Sequence, residues 1–368
     1  MAKKGVRPLF DVRCSAFDLN NMKRVLGFLF LLLLVAAGAA AFMYWRINEP
    51  YRGYQGAEQF VELPQGTGSL SIGDRLVAAG VIRDRAVYRV ALWWNGQGRH
   101  LQAGDYRFDR AMTPFEVIDK IARGDVYVVN VTFPEGLTIV EMAKIFESHS
   151  LGPASSFVQA SRDPAPIREL DPAAKDLEGY LFPETYALGR HTDAAKLVRL
   201  MALRFEHVFT PELRQAAAAR SLTIRQAVTL ASIVEKETAR PDERPIVAAV
   251  YSNRLRIGIP LQCDPTVIYA LLRAGSYTGN LKHDDLAFDS PYNTYRYPGL
   301  PPGPIASPGR SSLAAAVHPA AADFLYFVSR NDGSHEFART LDEHNRNVQK
   351  YQVRYFREKR LREGRQVG

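Results

Sequence analysis

The segment ASIVEKET, residues 231–238, begins with mostly apolar residues and carries two glutamates, Glu235 and Glu237, near its end. A glutamic acid donates a proton at neutral pH only when its surroundings raise its pKa, and burial beside apolar groups does this. Such a carboxyl group can act first as a general acid and then as a general base. These two residues are therefore the first candidates for chemistry in the chain.

The segment that carries the two glutamates has the signals of a helix. Thr223 and Gln226 have the spacing of a capping box, and Pro241 is a residue that a helix rarely continues into. A helix is therefore predicted over residues 224–240. Its apolar positions are Val228, Leu230, Ala231, Ile233 and Val234.

The helical wheel separates the two glutamates. Glu237 lies about 60° from the centre of the apolar face and Glu235 about 100°. We therefore favour Glu237 as the acid and expect Glu235 at the solvated edge. The alternative is an ordinary solvated last turn, which is the commoner setting for charged residues at a helix end.

Two more helices are predicted after this one. Residues 245–258 read as a helix that ends at Gly258. Asp264 and Pro265 have the types expected for the N-cap and the first position of another. Capping is the simpler explanation of Asp264, with a catalytic role beside Glu237 as the alternative.

A long segment rich in proline and tyrosine follows, SPYNTYRYPGLPPGPIASPG, residues 290–309, with six prolines and three glycines. Prolines restrict φ, so such a segment can be ordered without regular secondary structure. Tyr292, Tyr295 and Tyr297 offer flat faces with polar tips that suit sugar rings. The alternative is a rigid surface loop with aromatic plugs.

Other reactive groups are sparse. His318, His335 and His344 are candidates for acid–base work or ligand contacts, with structural hydrogen bonding as the alternative. No nucleophile elbow, phosphate-binding glycine loop or zinc signature occurs in the sequence. No cofactor and no metal are therefore predicted.

An apolar run, residues 25–45, precedes all of these motifs. At about 1.5 Å per residue it reaches about 31 Å, enough to cross a bilayer. Positive charge before it predicts a cytoplasmic N-terminus and an exported remainder. A cleaved signal peptide is the alternative, and Met22 is an alternative start. Cys14 and Cys263 would then lie in different compartments, and no disulfide between them is expected.

The net charge of +8 comes from the two ends of the chain, residues 1–24 and 351–368, and the stretch between them is neutral overall. Nucleic-acid-binding domains usually carry a basic stripe on a folded face. We therefore do not expect nucleic acid as a partner.

The predicted class is α+β, with a mixed α/β catalytic domain. Seven segments are predicted: a basic cytoplasmic tail (1–24), a transmembrane helix (25–45), a linker (46–60), a small α+β module (61–130), a connecting α/β region (131–220), the catalytic domain with its helix-borne glutamate and long loop (221–350), and a basic C-terminal tail (351–368).

Five motifs in order carry a family resemblance: LASIVEKET (230–238), NRLRIGIPLQCDPTVIYAL (253–271), YNTYRYPGLPPGPIASPG (292–309), HPA (318–320) and LYFV (325–328). Together they resemble the YceG-like endolytic murein transglycosylases over about residues 60–350. The resemblance implies that Glu237 is the essential glutamate and that the 61–130 module is LysM-like. Cys263 departs from the family pattern, where a Thr-like residue is expected. The motif positions expected to line the substrate cleft are Gln262, Asp264, Tyr292, Asn293, Thr294 and Tyr295.

The resemblance also implies an activity. A bacterial enzyme of this family is anchored in the inner membrane with its catalytic domain in the periplasm. It cuts nascent peptidoglycan strands between N-acetylmuramic acid and N-acetylglucosamine, leaves a 1,6-anhydro end and so limits strand length. Expected partners are glycan strands, peptidoglycan synthases and the membrane. A lysozyme-type hydrolase and a non-catalytic peptidoglycan-binding scaffold remain as alternatives.

Overall fold

The computed structural model describes residues 19–357. They form a mixed α+β structure in which each strand pairs with one antiparallel neighbour. The chain divides into two compact units, unit 1 (Met1–Tyr127) and unit 2 (Val128–Gly368). The α+β class is confirmed. Parts of the two predicted basic tails lie outside the described residues. These parts are residues 1–18, which include Cys14, and residues 358–368.

Unit 1 begins with helix α1, Leu19–Asn48. Its segment Met22–Asn48 is apolar and long enough to cross a membrane, in agreement with the span predicted over residues 25–45. The last turn of α1 belongs to the core of unit 1, because Ile47 is only 1% exposed. Tyr51 then forms a β-bridge with Met112. The predicted linker, 46–60, is therefore held against unit 1.

The rest of unit 1 is a two-stranded sheet with three helices. The elements are β1 (Gln59–Leu63), α2 (Ser69–Ala78), α3 (Arg85–Asn95), β2 (Gly104–Phe108) and α4 (Pro114–Ala122). A capping box of Thr113 and Glu116 starts α4. The sequence did not predict α3, which begins because the Asp84 side chain accepts a hydrogen bond from the Val87 N–H.

Unit 2 contains the remaining elements. Its strands are β3 (Val129–Thr132), β4 (Thr185–Leu188), β5 (Tyr326–Ser329) and β6 (His335–Ala338), paired as β3–β4 and β5–β6. Its α-helices are α5 (Ile139–Ser148), α6 (Ala154–Ala160), α7 (Ala194–Val208), α8 (Pro211–Ala219), α9 (Ile224–Glu237), α10 (Arg244–Ile257), α11 (Asp264–Ala274), α12 (Arg310–Val317) and α13 (Leu341–Val348).

Helix α9 is the central helix of unit 2. It starts at the predicted capping box of Thr223 and Gln226, and α8, α10, α11 and α12 pack around it. Every residue from 227 to 234 is buried, including the polar Ser232. The Ser232 hydroxyl donates to the Thr229 carbonyl and accepts from the Ile305 N–H. The helix is thus buried on all sides rather than on one face.

Residues 290–309 contain no helix or strand and lie between a short 3-10 helix and α12. This proline-rich loop packs against Gly179, whose φ of +82° is in the left-handed region. A Cβ atom at Gly179 would overlap the Pro304 ring. Glycine is therefore required there both by the backbone conformation and by the close approach.

We expect Gly179→Ala to destabilise unit 2 more than Gly299→Ala. Gly299 has a similar φ of +89° but no atom within 4 Å of its Cβ position. Both changes add left-handed strain of about 1–2 kcal/mol, whereas only Gly179→Ala adds an overlap that typically costs about 1–3 kcal/mol. Thermal unfolding of the two variants measures the difference, and equal melting temperatures would show that the loop moves away freely.

Candidate active site

Glu237 is the last residue of α9, and its side chain receives two hydrogen bonds on one oxygen. The Tyr251 hydroxyl donates to Oε1 at 2.7 Å, and the Cys263 thiol donates to the same atom at 3.0 Å. Both donors are buried. Oε2 has no hydrogen-bond partner among residues 19–357. A proton on this carboxyl group therefore belongs on Oε2, because Oε1 already accepts two bonds.

Burial is the main influence on the pKa of Glu237 and raises it. The hydrogen bonds from Cys263 and Tyr251 lower the pKa, and the charge of Asp264 raises it further. The charge of His335 also lowers the pKa, but the net direction is upward because burial outweighs these effects and no ion pair to Glu237 forms among the described residues. Glu237 thus keeps its proton to a higher pH than a free glutamic acid.

Glu237 opens onto a cleft of about 320 Å³. One wall comes from the start of α11 and from the proline-rich loop of residues 290–309. The other comes from α10, the β5–β6 hairpin and α13. The cleft is lined by Glu237, Tyr251, Arg254, Leu261, Gln262, Asp264, Tyr295, Phe327 and His344.

Three of the predicted cleft residues lie in this cleft: Gln262, Asp264 and Tyr295. The Tyr295 hydroxyl donates to Asp264 Oδ1 at 2.6 Å. The prediction that Asp264 is the N-cap of α11 is wrong by one position. Cys263 is the N-cap, and Asp264 is the first helical residue, so its carboxylate is directed to Tyr295 instead of to the helix backbone.

Asn293 and Thr294 are fully buried and hold the loop in place. The Asn293 amide donates to two backbone carbonyls, and its oxygen accepts from the Tyr295 N–H. The Thr294 hydroxyl accepts from the Cys263 N–H. These two predicted residues therefore position Tyr295 and Cys263 and do not line the cleft.

Tyr292 lies away from the cleft. Its ring packs against Tyr269 and under the guanidinium of Arg273, and it lines a second cavity of about 310 Å³. Tyr297 is exposed and donates to Asp289. The three loop tyrosines are thus not one continuous surface.

A second buried acid, Glu178, lines that second cavity, and burial raises its pKa to about 8. Both of its oxygens are occupied, one by the N–H of Ile139 at the start of α5 and the other by the Tyr269 hydroxyl. Glu178 therefore caps a helix, whereas Glu237 has a free oxygen and lines an open cleft.

Glu235 is buried, and the prediction that it lies at a solvated edge is wrong. Its side chain is 5% exposed and forms an ion pair at 2.7 Å with Arg244, which is 8% exposed. The Gly309 N–H donates to its other oxygen. The helical wheel failed here because α9 is buried on all sides. Glu235 ties α9 to α10 and to the start of α12.

Only one of the three candidate histidines lines the cleft. His344 stacks on Tyr326, and burial with the nearby Arg254 charge lowers its pKa. His335 instead donates from its backbone N–H to Glu243, and its Nδ1 lies 2.7 Å from the same carboxylate. His318 is exposed at the end of α12.

The sequence interpretation missed Tyr251, Arg254 and Phe327. Arg254 is buried and donates to backbone carbonyls of Leu261 and Leu325. The sequence contained a signal for Tyr251 and Arg254, because these two polar side chains lie on the otherwise apolar faces of the predicted 245–258 helix. Polar side chains at core positions need partners, and here Tyr251 finds Glu237.

A model of the YceG-like family matches residues 61–350 of this chain. The chain belongs to the YceG-like family. The match spans the motifs at Glu237, Asp264 and Tyr295 that meet in the cleft.

Relatives of known name extend this family assignment. A Bacillus subtilis protein named endolytic murein transglycosylase is 30% identical over an alignment of 327 residues; the match covers 84% of this chain and 90% of that protein. A Streptococcus pneumoniae protein of the same name is 26% identical over 357 residues; the match covers 88% of this chain but only 64% of the streptococcal protein. The crystal structure of a YceG-like protein from Listeria monocytogenes is similar with a TM-score of 0.54 and 30% identity, over 79% of this chain and 99% of that one.

The different surroundings of the two glutamates predict unequal effects on stability. Glu235→Gln leaves the buried Arg244 with only Glu135 as a carboxylate partner, and should lower the free energy of unfolding by about 3 kcal/mol. Glu237→Gln should change it by about 1 kcal/mol or less, because the amide oxygen can accept the same two bonds. Urea unfolding at neutral pH tests both, and equal losses would contradict the assignment.

The raised pKa of Glu237 also predicts a pH dependence. Above the ordinary value of 4.5 the folded protein binds more protons at this group than the unfolded chain does, so stability falls as pH rises through this window. Glu237→Gln removes this dependence. The stability of the variant relative to the parent should therefore increase as pH rises from about 4 to 7, and a constant difference would mean that the pKa is not raised.

Proposed function

We propose that this chain is a membrane-anchored lytic transglycosylase that cuts peptidoglycan strands internally, with Glu237 as its single acid–base catalyst. The observation that carries the proposal is the carboxyl group of Glu237. Burial raises its pKa, Oε1 accepts two hydrogen bonds, and Oε2 accepts none from residues 19–357 and lies beside an open cleft. The names of the relatives supply the substrate class.

The first step is proton donation. Glu237 Oε2–H gives its proton to the glycosidic oxygen between N-acetylmuramic acid and N-acetylglucosamine. The bond from C1 of the muramyl sugar to that oxygen breaks, and positive charge develops on the muramyl ring. The Glu237 carboxylate that remains is stabilised by the donors Tyr251 and Cys263.

The second step returns the proton. The carboxylate accepts the proton of the muramyl 6-hydroxyl while that oxygen bonds to C1, which gives the 1,6-anhydro end and restores the acid. No water is consumed. The intramolecular hydroxyl has a high effective molarity, so one carboxyl group acting as acid and then base is sufficient.

The other cleft residues have supporting roles in this proposal. Asp264 raises the pKa of Glu237 through its charge, and its own carboxylate is held by Tyr295. Gln262 has an exposed side chain on a backbone with φ of +50°, a conformation that non-glycine residues rarely adopt. Gln262 and the Tyr295 ring are the proposed sugar contacts.

The presence of Asp264 in the cleft keeps a second candidate open. In a lysozyme-type hydrolase a second carboxylate acts as nucleophile or activates water, and Asp264 would fill that role. The products differ, because hydrolysis leaves a reducing end where the lytic reaction leaves an anhydro end.

The proposed location is the bacterial inner membrane. Helix α1 would cross it once, with the N-terminus in the cytoplasm because Lys23 and Arg24 precede the apolar run. The catalytic unit would then face the periplasm, where nascent glycan strands and their synthases are the proposed partners.

Product analysis tests the proposal. The protein incubated with isolated peptidoglycan should release fragments that end in anhydro-muramic acid, detected by mass spectrometry. Glu237→Gln should abolish release, whereas Asp264→Asn should retain anhydro products at a reduced rate because the pKa of Glu237 falls. Reducing ends that disappear in Asp264→Asn would establish the hydrolase, and no product from the parent chain would establish a scaffold.

Tyr251→Phe tests how the acid is tuned. The change removes a donor that favours the charged form, so the pKa of Glu237 should rise further. The alkaline limb of kcat/KM should therefore move to higher pH while kcat falls. Cys263→Ala is the matched variant and should give a smaller shift in the same direction, since a thiol is the weaker donor. A shift to lower pH in either variant would contradict the proposed hydrogen bonding.

A further inference from the structure

Exposed aromatic side chains cluster where α1 meets the rest of unit 1. The chain has three tryptophans, and all of them lie there: Trp45 near the end of α1, and Trp93 and Trp94 on α3. Trp93 is 82% exposed and Trp94 58%. Neighbouring exposed large apolar side chains mark a surface that contacts another phase or molecule.

Both ends of α3 are tied to the end of α1. The Tyr44 and Trp94 rings lie 6.1 Å apart, and Arg46 forms an ion pair at 3.4 Å with Asp84, the N-cap of α3. Ile47 is buried in the same core. The depth of α1 in a membrane therefore also sets the depth of α3.

The length of α1 gives that depth. Residues 25–45 fill a hydrocarbon core of about 30 Å, so Tyr44 and Trp45 at their end lie in the interfacial layer, which is about 5–7 Å thick on each side. Tyrosine and tryptophan are enriched in this layer. Trp94, in contact with Tyr44, must lie in it or at its edge.

The surface next to Trp94 has the composition that such a position requires. Leu70, Leu92 and Trp93 line a shallow groove of about 520 Å³ with Arg89 and Arg99 at its rim. Neither arginine forms an ion pair with any residue between 19 and 357. Apolar side chains with long cationic side chains beside them suit the boundary between acyl chains and phosphate headgroups.

We infer that Leu70, Arg89, Trp93, Trp94 and Arg99, the aromatic patch, rest in the interfacial layer of the same bilayer that α1 crosses. A glycan strand fits this surface less well, because no carboxylate or amide side chain lines the groove to bind sugar hydroxyls. Unit 1 is then attached to the membrane twice, by a spanning helix and by a lateral contact. The inference depends on α1 as an anchor and not on the catalytic proposal.

Tryptophan fluorescence of the full-length chain tests the inference, because the three tryptophans of the sequence are the three in question. Three single-tryptophan variants, each with the other two changed to Phe, are reconstituted in phosphatidylcholine vesicles with or without lipids brominated near the top of the acyl chains. Trp45 is the reference for the interface. We expect Trp93 and Trp94 to emit at shorter wavelength than tryptophan amide in water, and to lose a fraction of their emission to brominated lipid comparable to that lost by Trp45.

Aqueous iodide provides the opposing measurement. Strong iodide quenching of Trp93 and Trp94, without quenching by brominated lipid while Trp45 is quenched, would overturn the inference. Shielding from both quenchers would indicate a protein contact at the patch and would also overturn it. Loss of brominated-lipid quenching at all three positions would show that α1 is not inserted, which removes the basis of the inference. Catalysis by the same preparations is a separate readout, so failure here is distinguishable from failure of the proposed function.

Discussion

The design of unit 2 depends on burying one carboxyl group without an ion-pair partner among the described residues, which raises its pKa. Glu235 and Glu237 are two residues apart on α9, and burial acts on both. Glu235 meets Arg244 and becomes one half of a buried ion pair. Among the described residues, Glu237 accepts hydrogen bonds from a hydroxyl and a thiol, which can stabilise its charge but cannot compensate for it fully. The same residue type thus has a structural role at one position and a chemically reactive one at the other.

The rest of unit 2 can be understood as support for that environment. Helix α9 is surrounded by other helices, so its last turn emerges at a fixed place. Helix α10 supplies Tyr251 and the start of α11 supplies Cys263. The loop of residues 290–309 is anchored by Asn293 and Thr294, which fix the backbone around Cys263 and Tyr295. These hydrogen bonds hold the backbone of a segment without regular secondary structure in a fixed position.

Local signals in the sequence predicted much of this architecture. The capping box predicted at Thr223 and Gln226 is present, because a cap depends on residues three positions apart. Predictions about exposure were less successful. The prediction of a solvated Glu235 assumed that α9 has a single apolar face. A helical wheel also cannot show the ion pair with Arg244, which is nine residues away in the sequence. Tyr292 and Tyr295 belong to the same sequence motif but lie in different places, since their tertiary neighbours differ.

The burial of Ile47 has a consequence for any soluble form of the protein. The last turn of α1 completes the core of unit 1, with Met43 packed against the same cluster. A fragment trimmed after the apolar run of α1 would begin with a gap in its interior. Proteolytic release, or the preparation of a soluble fragment for biochemistry, would therefore require a cut upstream of Met43. The released fragment would retain a short apolar piece of α1.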